Sequence, residues 1–424
     1  STSSRWLPTR YISGAWNAHE EEWFQKWAQA NKNWLSHGTL RLSYSLVGEQ
    51  TTASNALAVF RSGIMWRPQG DQQEQYIYLS QLANSDLTYE KKKEFNIGVD
   101  LGFLNNRLNL SSDFYWRDNY DLMGYVNTPG AGGETRKFAN VASMRSHGLE
   151  ATISSQNIRT KDFDWSTDLT YSYTKTKIKD VLSQANVIGL VYNSGSNIRK
   201  GYPHRSIFSI PFVGLNDEGI PQVINEKGEV TTTDINFQEY QNLGFLKYEG
   251  PTEPTMNGGL NNTLRYKNWR LNIFVTYSFG NKIRLDPTFS SSYSDMSAMP
   301  KEFKNRWVVP GDELRTTIPA IADLRTIQSD TYLNRAYNAY NLSTERVAKG
   351  DFIRMKEISL AYDFPVKWIS KIGLTSASAK LQATNLFLIY CDDKLNGQDP
   401  EFFNAGGVAA PMSKQFTFTL RLGI

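Results

Sequence analysis

Residues 93–118, KEFNIGVDLGFLNNRLNLSSDFYWRD, alternate between apolar and polar side chains on both sides of a short asparagine-containing turn. Successive side chains of a β-strand point to opposite faces, so each half of this stretch predicts a strand with one apolar and one polar face. The apolar positions are Phe95, Ile97, Val99, Leu101, Phe103, Leu108, Leu110, Phe114 and Trp116. Strands of roughly 10 residues with this alternation are typical of outer-membrane β-barrels.

The same pattern recurs along the chain and predicts eleven strands. They cover residues 9–18, 36–48, 93–104, 107–121, 142–155, 163–177, 256–267, 268–282, 350–363, 374–390 and 413–424. Bacterial single-chain barrels have even strand numbers, so an odd count favours part of a larger barrel. We therefore interpret residues 1–424 as the C-terminal half of an antiparallel transmembrane barrel of about 22 strands, with the plug and N-terminal strands outside this chain.

The connections between these strands alternate in length. Tight or short links fall at 105–106, 156–162, 267–268 and 364–373, and the loops 49–92, 122–141, 178–255, 283–349 and 391–412 are long. Outer-membrane barrels have short periplasmic turns and long extracellular loops, so the short links are predicted to face the periplasm. The segment 20–32 breaks the alternation and predicts one or two turns of helix in a periplasmic connection.

The composition fits a barrel with aromatic girdles and a hydrated interior. Aromatic residues make up 13% of the 424 residues, with 11 Trp, 22 Tyr and 22 Phe, yet the mean hydropathy is −0.48. The net charge of +4 comes from 46 basic and 42 acidic residues and does not suggest nucleic-acid binding. The single cysteine, Cys391, excludes an internal disulfide framework. The alternative is a large soluble β-sandwich or propeller, whose strands would also alternate between apolar and polar residues.

We find no sequence motif for catalysis. The four histidines, His19, His37, His147 and His204, have no zinc-like spacing, and no nucleophile motif occurs. Asp392, Asp393, Asp399 and Glu401 crowd one predicted extracellular loop, where oxygen ligands could hold Ca²⁺. A solvated turn is the interpretation that we favour there, and no cofactor is expected.

Aromatic side chains in the long loops are the candidates for contact with a ligand or a covering protein. Six are named as candidate substrate-binding residues: Trp66, Tyr76, Tyr192, Tyr240, Trp307 and Tyr337. Others in the same loops are Tyr78, Phe208, Tyr332 and Tyr340.

Five blocks of sequence, in order, resemble SusC-type TonB-dependent transporters of Bacteroidetes. They are NSDLTYEKKKEFNIGVDLGFLNNRLNLSSDFYWRDNYDLM (84–123), KFANVASMRSHGLEATI (137–153), PTMNGGLNNTLRYKNWRLNIFVTYSFGNKI (254–283), KGDFIRMKEISLAYDFPVKW (349–368), and ATNLFL followed by GQDPE (383–401). Residues 5–49 resemble the stretch that precedes these blocks. Such chains commonly end on an aromatic residue, and this one ends on Ile424.

The resemblance implies a bacterial outer-membrane importer of oligosaccharides or oligopeptides that carries out no bond chemistry. It also implies a SusD-like surface lipoprotein as partner, energy from TonB–ExbB–ExbD through the missing N-terminal part, and a possible dimer of transporter–lipoprotein pairs. Outer-membrane lipid would surround the barrel. The alternatives are a passive porin or structural barrel, an outer-membrane hydrolase, and a soluble β-protein.

Overall fold

The computed structural model describes residues 7–49, 57–67, 72–130, 136–192, 198–288, 301–321, 332–403 and 413–424. The strands are β1 Arg10–Asn17, β2 Leu35–Glu49, β3 Val59–Trp66, β4 Gln73–Gln81, β5 Glu90–Phe103, β6 Leu108–Asn127, β7 Arg136–Arg159, β8 Phe163–Val181, β9 Ser206–Ser209, β10 Phe212–Leu215, β11 Pro221–Ile224, β12 Val230–Thr231, β13 Lys247–Pro251, β14 Met256–Tyr266, β15 Trp269–Phe279, β16 Lys282–Arg284, β17 Val347–Lys349, β18 Phe352–Asp363, β19 Ser376–Cys391 and β20 Gln415–Gly423. The α-helices are α1 Glu22–Ala30, α2 Val187–Tyr192, α3 Leu333–Asn341 and α4 Val366–Ile369. Short 3-10 turns cover Ala18–Glu20, Lys301–Asn305, Asp312–Leu314, Thr344–Arg346, Ser370–Ile372 and Asp393–Leu395.

The long strands form one antiparallel sheet, which confirms the predicted all-β fold. Its order within the described residues is β1-β2-β5-β6-β7-β8-β14-β15-β18-β19-β20, and each of these strands corresponds to one predicted from the sequence. The strands β6, β7 and β8 extend further than predicted, to residues 127, 136 and 181. Bulges in β6–β7 and β7–β8 carry the pairing past the point where strict alternation ends.

Short connections lie together at one end of the sheet, which we call the short-turn end. Leu104, Asn105 and Asn106 have φ values of 53°, 59° and 61°, so the β5–β6 link turns through left-handed backbone that asparagine tolerates well. Lys267 has φ 52° between β14 and β15. The predicted helix in the first connection is α1, preceded by a 3-10 turn. None of the helices in the described ranges is long and apolar enough to cross a bilayer.

The sheet has two chemically different faces, because opposed residues of paired strands lie on the same side. On the apolar face, Phe95 lies opposite Trp116 with ring centroids 6.0 Å apart. One apolar row crosses six strands through Trp165, Leu264, Leu271, Leu360, Leu381 and Phe418. Rings gather on this face near the short-turn end, where Trp269 and Tyr362 are 4.6 Å apart. The division that was predicted from period-2 alternation is therefore confirmed.

The longest loops are folded at the opposite end, which we call the long-loop end. Val59–Trp66 and Gln73–Gln81, which fall in the predicted loop 49–92, pair as the antiparallel strands β3 and β4. Several buried residues between Ala185 and Leu246 share one core with Ala339; they include Val187, Phe208 and Ile210, each at most 1% exposed. Two loops that are distant in sequence thus make one packed body, the loop layer. Local hydrophobic pattern could not predict this layer, because its contacts join short segments across more than 100 residues.

Candidate functional site

A network of charges lines the polar face of the sheet. The guanidinium of Arg41 donates from Nε to Asp100 Oδ2 at 2.7 Å and from Nη1 to Asp113 Oδ1 at 3.1 Å. Ser111 Oγ donates to Asp100 Oδ1 at 2.6 Å. A Cβ at Gly98 would lie 2.6 Å from Arg41 Cζ, so glycine is what permits this close approach. Asp113 is therefore paired and lies on the polar face, as alternation predicts for the residue beside the apolar position Phe114.

Other strands continue this polar wall. Arg117 Nε donates to Glu94 Oε2 at 2.8 Å, and Asn272 Nδ2 donates to Asn261 Oδ1 at 2.8 Å. All of these groups are partly exposed, so they contact water as well as each other. Such a surface suits a hydrated lumen and would be costly against hydrocarbon.

A largely buried arginine joins the two loops of the loop layer. Arg284 donates to the carbonyl oxygens of Ser343 and Phe208 at 2.9 and 2.7 Å. Burial lowers the pKa of Arg284 to about 10, and the nearby charge of Glu249 opposes that shift. The side chain remains protonated at neutral pH, so its cation joins both halves of the layer.

A cavity of about 640 Å³ opens where the loop layer meets the polar face. Its walls include Asn257, Thr276, Ser278, Phe352, Lys356 and Glu401. Amide, hydroxyl, ammonium, carboxylate and aromatic groups therefore surround one space, which is within the usual size of ligand pockets. Sequence analysis did not single out Lys356, because in its strand it is one charge among several. Lys356 lines a pocket only because β14, β15, β18 and the segment around Glu401 lie side by side in the folded chain.

Of the four acidic candidates for a metal site, Asp392, Asp399 and Glu401 are held by protein groups. Arg354 Nη2 donates to both oxygens of Asp399 at 2.5 and 2.6 Å, and it is 3.3 Å from Glu401 Oε2. Asp392 accepts from the backbone N–H of Lys349 and of Lys394 at 2.7 and 3.0 Å. Asp393 opens the 3-10 turn that follows. Over the described residues, no three or more His, Cys, Asp and Glu side chains converge as a metal site.

The six aromatic candidates lie in different environments. Trp66, Tyr76, Tyr192 and Tyr240 are between 41% and 76% exposed, so they stay predictions for ligand or partner contact. Trp307 packs over Gly219 and donates from Nε1 to Glu313 Oε2 at 3.0 Å.

Tyr337 is buried in the loop layer and not exposed to solvent. It is 3% exposed, and its hydroxyl donates to the carbonyl of Ala320 at 2.8 Å. Burial raises the pKa of Tyr337 to about 12. The ring is closed to a ligand in this structure. Phe208 and Tyr340 are likewise buried in the loop layer.

The structure also brings together two histidines that are distant in sequence. The rings of His19 and His37 lie 3.8 Å apart, and His19 Nδ1 is 3.1 Å from the carbonyl oxygen of Gly38. The pair forms where the turn before α1 packs against β2. Its spacing of 18 residues gives no metal-site signal, and no third ligand joins it in the part of the chain that the structure describes.

Comparison with known proteins gives one family. The family described as "TonB dependent receptor-like, beta-barrel" matches residues 24–386. The TonB-dependent receptor SusC of Bacteroides thetaiotaomicron is 26% identical over 441 aligned positions, which cover 100% of this chain and 40% of that protein. TonB-dependent receptor P3 of Formosa agariphila is 25% identical, covering 91% of this chain and 37% of that protein.

Solved structures give the same fold. The RagAB peptide importer in its open-open state matches with a TM-score of 0.75 and 22% identity, over 98% of this chain and 42% of that chain. The chain therefore spans about two fifths of the length of the curated relatives named here.

Proposed function

This chain belongs to the TonB-dependent receptor-like β-barrel family of the outer membrane, and we propose that it forms the wall and outer layer of an active nutrient importer. The apolar face contacts lipid and the polar face contacts the lumen. The short-turn end faces the periplasm, and the long-loop end faces the outside. No step of bond chemistry is required of it.

The observation that carries this proposal is the packed loop layer above a charged, hydrated wall. These loops do more than join strands, because they share a core and border a cavity of about 640 Å³. Long structured loops on a rigid scaffold are the usual place for binding residues. The layer therefore supports selective capture before transport.

The substrate is proposed to be an oligosaccharide or an oligopeptide. The cavity offers hydroxyl and amide partners from Thr276, Ser278 and Asn257, with opposite charges at Lys356 and Glu401. Sugar hydroxyls can bond to the hydroxyl and amide groups. A peptide can use these groups for its backbone and the two charged side chains for its termini. The resemblance to SusC-type transporters implies these two classes, and RagAB, which has the same fold, is described as a peptide importer.

A SusD-like lipoprotein is the proposed partner above the loop layer. Tyr192, Tyr240 and Tyr332 are 76%, 50% and 59% exposed on that layer, and aromatic residues are enriched in protein interfaces. A stable cover would bury more than about 1,000 Å². Energy would come from TonB–ExbB–ExbD, which act on the part of the transporter outside this chain, and two transporter–lipoprotein pairs would form the assembly.

Uptake by whole cells tests the proposal. Cells that carry the full transporter are given labelled oligosaccharide and oligopeptide pools, with and without a protonophore. We expect one pool to accumulate only while the proton gradient lasts, whereas uptake that ignores the protonophore would favour a porin. Lys356→Gln should weaken uptake, and Lys367→Gln, which removes the same charge at the short-turn end, should leave it unchanged.

Recovery of the complex tests the partner. The intact transporter is purified in mild detergent from native membranes, and co-purified proteins are quantified. A surface lipoprotein at near-equal amounts is expected. Recovery of the barrel alone, with the loops around Tyr192 and Tyr240 uncleaved, would contradict the partnership.

A further inference from the structure

Basic side chains form a row at the top of the apolar face, beside the long-loop end. Lys93 lies opposite Asp118, Asp118 opposite Arg145, and Arg145 opposite Lys177 in the sheet register. The row thus crosses β5, β6, β7 and β8 on the side that is apolar over the rest of its height. Lys175 stands one level lower on β8, and Lys179 follows at a bulge.

Asp118 is the carboxylate inside this row, and Asp180, which pairs with Lys200, also interacts electrostatically with Lys179. Arg145 holds Asp118 through two bonds, from Nε at 2.6 Å and from Nη2 at 3.0 Å. Lys93 and Lys179 also interact electrostatically with Asp118. Across the described residues, no acidic side chain forms an ion pair with Lys93, Lys175, Lys177 or Lys179. A positive excess therefore remains on this patch, and Lys93, Arg145 and Lys177 are exposed.

Aromatic rings form the floor directly below the row. Tyr44, Phe95 and Trp116 follow one level down, and Phe95 and Trp116 are 40% and 47% exposed. They line a shallow cavity of about 280 Å³ together with the cations Lys93, Arg117 and Arg145 and the carboxylates of Glu94 and Asp118, so cations outnumber carboxylates there. Nζ of Lys93 lies 5.1 Å from the ring centre of Tyr120. The surface thus joins an apolar floor to a cationic rim.

The height of the row matches a membrane interface. Lys93 precedes Phe103, at the short-turn end of β5, by ten residues. At about 3.3 Å per residue and a strand tilt of about 40°, this separation is about 25 Å along the membrane normal, the height of the apolar band of a barrel. Lipid head groups of the outer leaflet would therefore lie beside these cations.

We propose that this patch, the cationic row of Lys93, Arg145, Lys175, Lys177 and Lys179 with its aromatic floor, binds the phosphate groups of a glycolipid in the outer leaflet. The orientation rests on the proposed function, but the site does not depend on which substrate is imported. The ammonium groups of the lysines pair with the phosphate groups of the lipid, and its acyl chains lie along the apolar face below. Lysine and arginine near the membrane surface attract anionic lipid in this way.

A soluble phosphate would use only half of this surface. The rings of Phe95 and Trp116 give an inorganic anion no binding energy, and exposed lysines hold a free anion weakly in salt solution. The arrangement is therefore best explained by a ligand that has both charge and hydrocarbon.

The test measures lipid binding by the full transporter in neutral detergent. Native mass spectrometry follows titration with bis-phosphorylated lipid A, its dephosphorylated form, and inorganic phosphate as a competitor. The test variant replaces four lysines with glutamine at Lys93, Lys175, Lys177 and Lys179. The control variant removes the same charge near the short-turn end at Lys161, Lys267, Lys367 and Lys371.

The expected result is selective loss. Each lysine beside an anionic lipid contributes a factor of about five, so the test variant should bind the bis-phosphorylated lipid at least about 30-fold more weakly. The control should bind as the wild type does, and the dephosphorylated lipid should bind weakly to all three proteins. Folding is checked by the mobility shift of the unheated barrel.

Three outcomes would overturn the proposal. Equal binding of the lipid by the test and control variants would show that the four lysines do not contribute to the site. Equal binding of phosphorylated and dephosphorylated lipid would show that the acyl chains alone are recognised. Full displacement by millimolar inorganic phosphate would identify a free-anion site. None of these outcomes bears on substrate uptake, so failure here is distinguishable from failure of the importer proposal.

Discussion

The ion pair between Arg354 and Asp399 should control whether the segment after β19 stays on the barrel. Both side chains are buried, at 6% and 9% exposure, and Nη2 of Arg354 lies 2.5 and 2.6 Å from the two carboxylate oxygens. Replacing Arg354 with methionine keeps much of the side-chain volume but leaves Asp399 charged and without its partner. Breaking a buried pair in this way costs about 3–5 kcal/mol.

Trypsin cleavage after Lys394 reports this loss. Lys394 lies in the sequence between the end of β19 and Asp399, and its side chain is 47% exposed. Where cleavage requires opening of the segment, its rate follows the opening equilibrium. A loss of 3–5 kcal/mol then predicts cleavage about 150- to 5,000-fold faster in Arg354→Met.

Two further variants serve as controls for the effect of the Arg354–Asp399 pair. Arg205→Met breaks the exposed pair between Arg205 and Glu253, 57% and 70% exposed, and should leave cleavage at Lys394 unchanged. Adding Asp399→Asn to Arg354→Met removes the uncompensated charge and should slow cleavage again. Wild-type cleavage in the single Arg354→Met variant would refute the role of the pair.

Three other predictions follow from the two faces, the two ends and the loop layer. Val275→Arg places a charge on the apolar face near the middle of β15 and should cost about 2–4 kcal/mol, whereas Thr276→Arg on the polar face should cost much less; urea unfolding of the refolded barrel in lipid vesicles measures both, and equal losses would refute the assignment of faces. With Cys391→Ser as the background, because Cys391 is free and partly exposed, Glu218→Cys should react with an impermeant maleimide on intact cells, and Asn106→Cys should react only after the outer membrane is opened; the reverse pattern would invert the topology. Burial raises the pKa of Tyr337 from 10.0 to about 12, so its stabilising contribution is complete below pH 10 and is lost as the pH rises through 12; tyrosinate absorbance should show one late-titrating group fewer in Tyr337→Phe, and an unchanged titration would contradict its burial.

The sequence predicted the strands and their two faces because both depend on neighbouring residues. Alternation from Phe95 to Phe103 is visible along the chain itself, and it fixes which side of β5 is apolar. Short links such as Asn105–Asn106 and Lys267–Asn268 then make neighbours in sequence neighbours in the sheet. The matching blocks of sequence identified the family for the same reason, since they are continuous stretches.

Tertiary structure alone decided which residues meet across long intervals. Lys93 and Lys177 belong to one row only because the registers of three successive strand pairs, with their bulges, bring them to the same height. Tyr337 is buried because α3 packs into the loop layer. Its place in a long predicted loop does not distinguish it from the exposed aromatic residues of the other loops. Register and packing are set by contacts between segments far apart in the chain, and period-2 alternation carries no information about them.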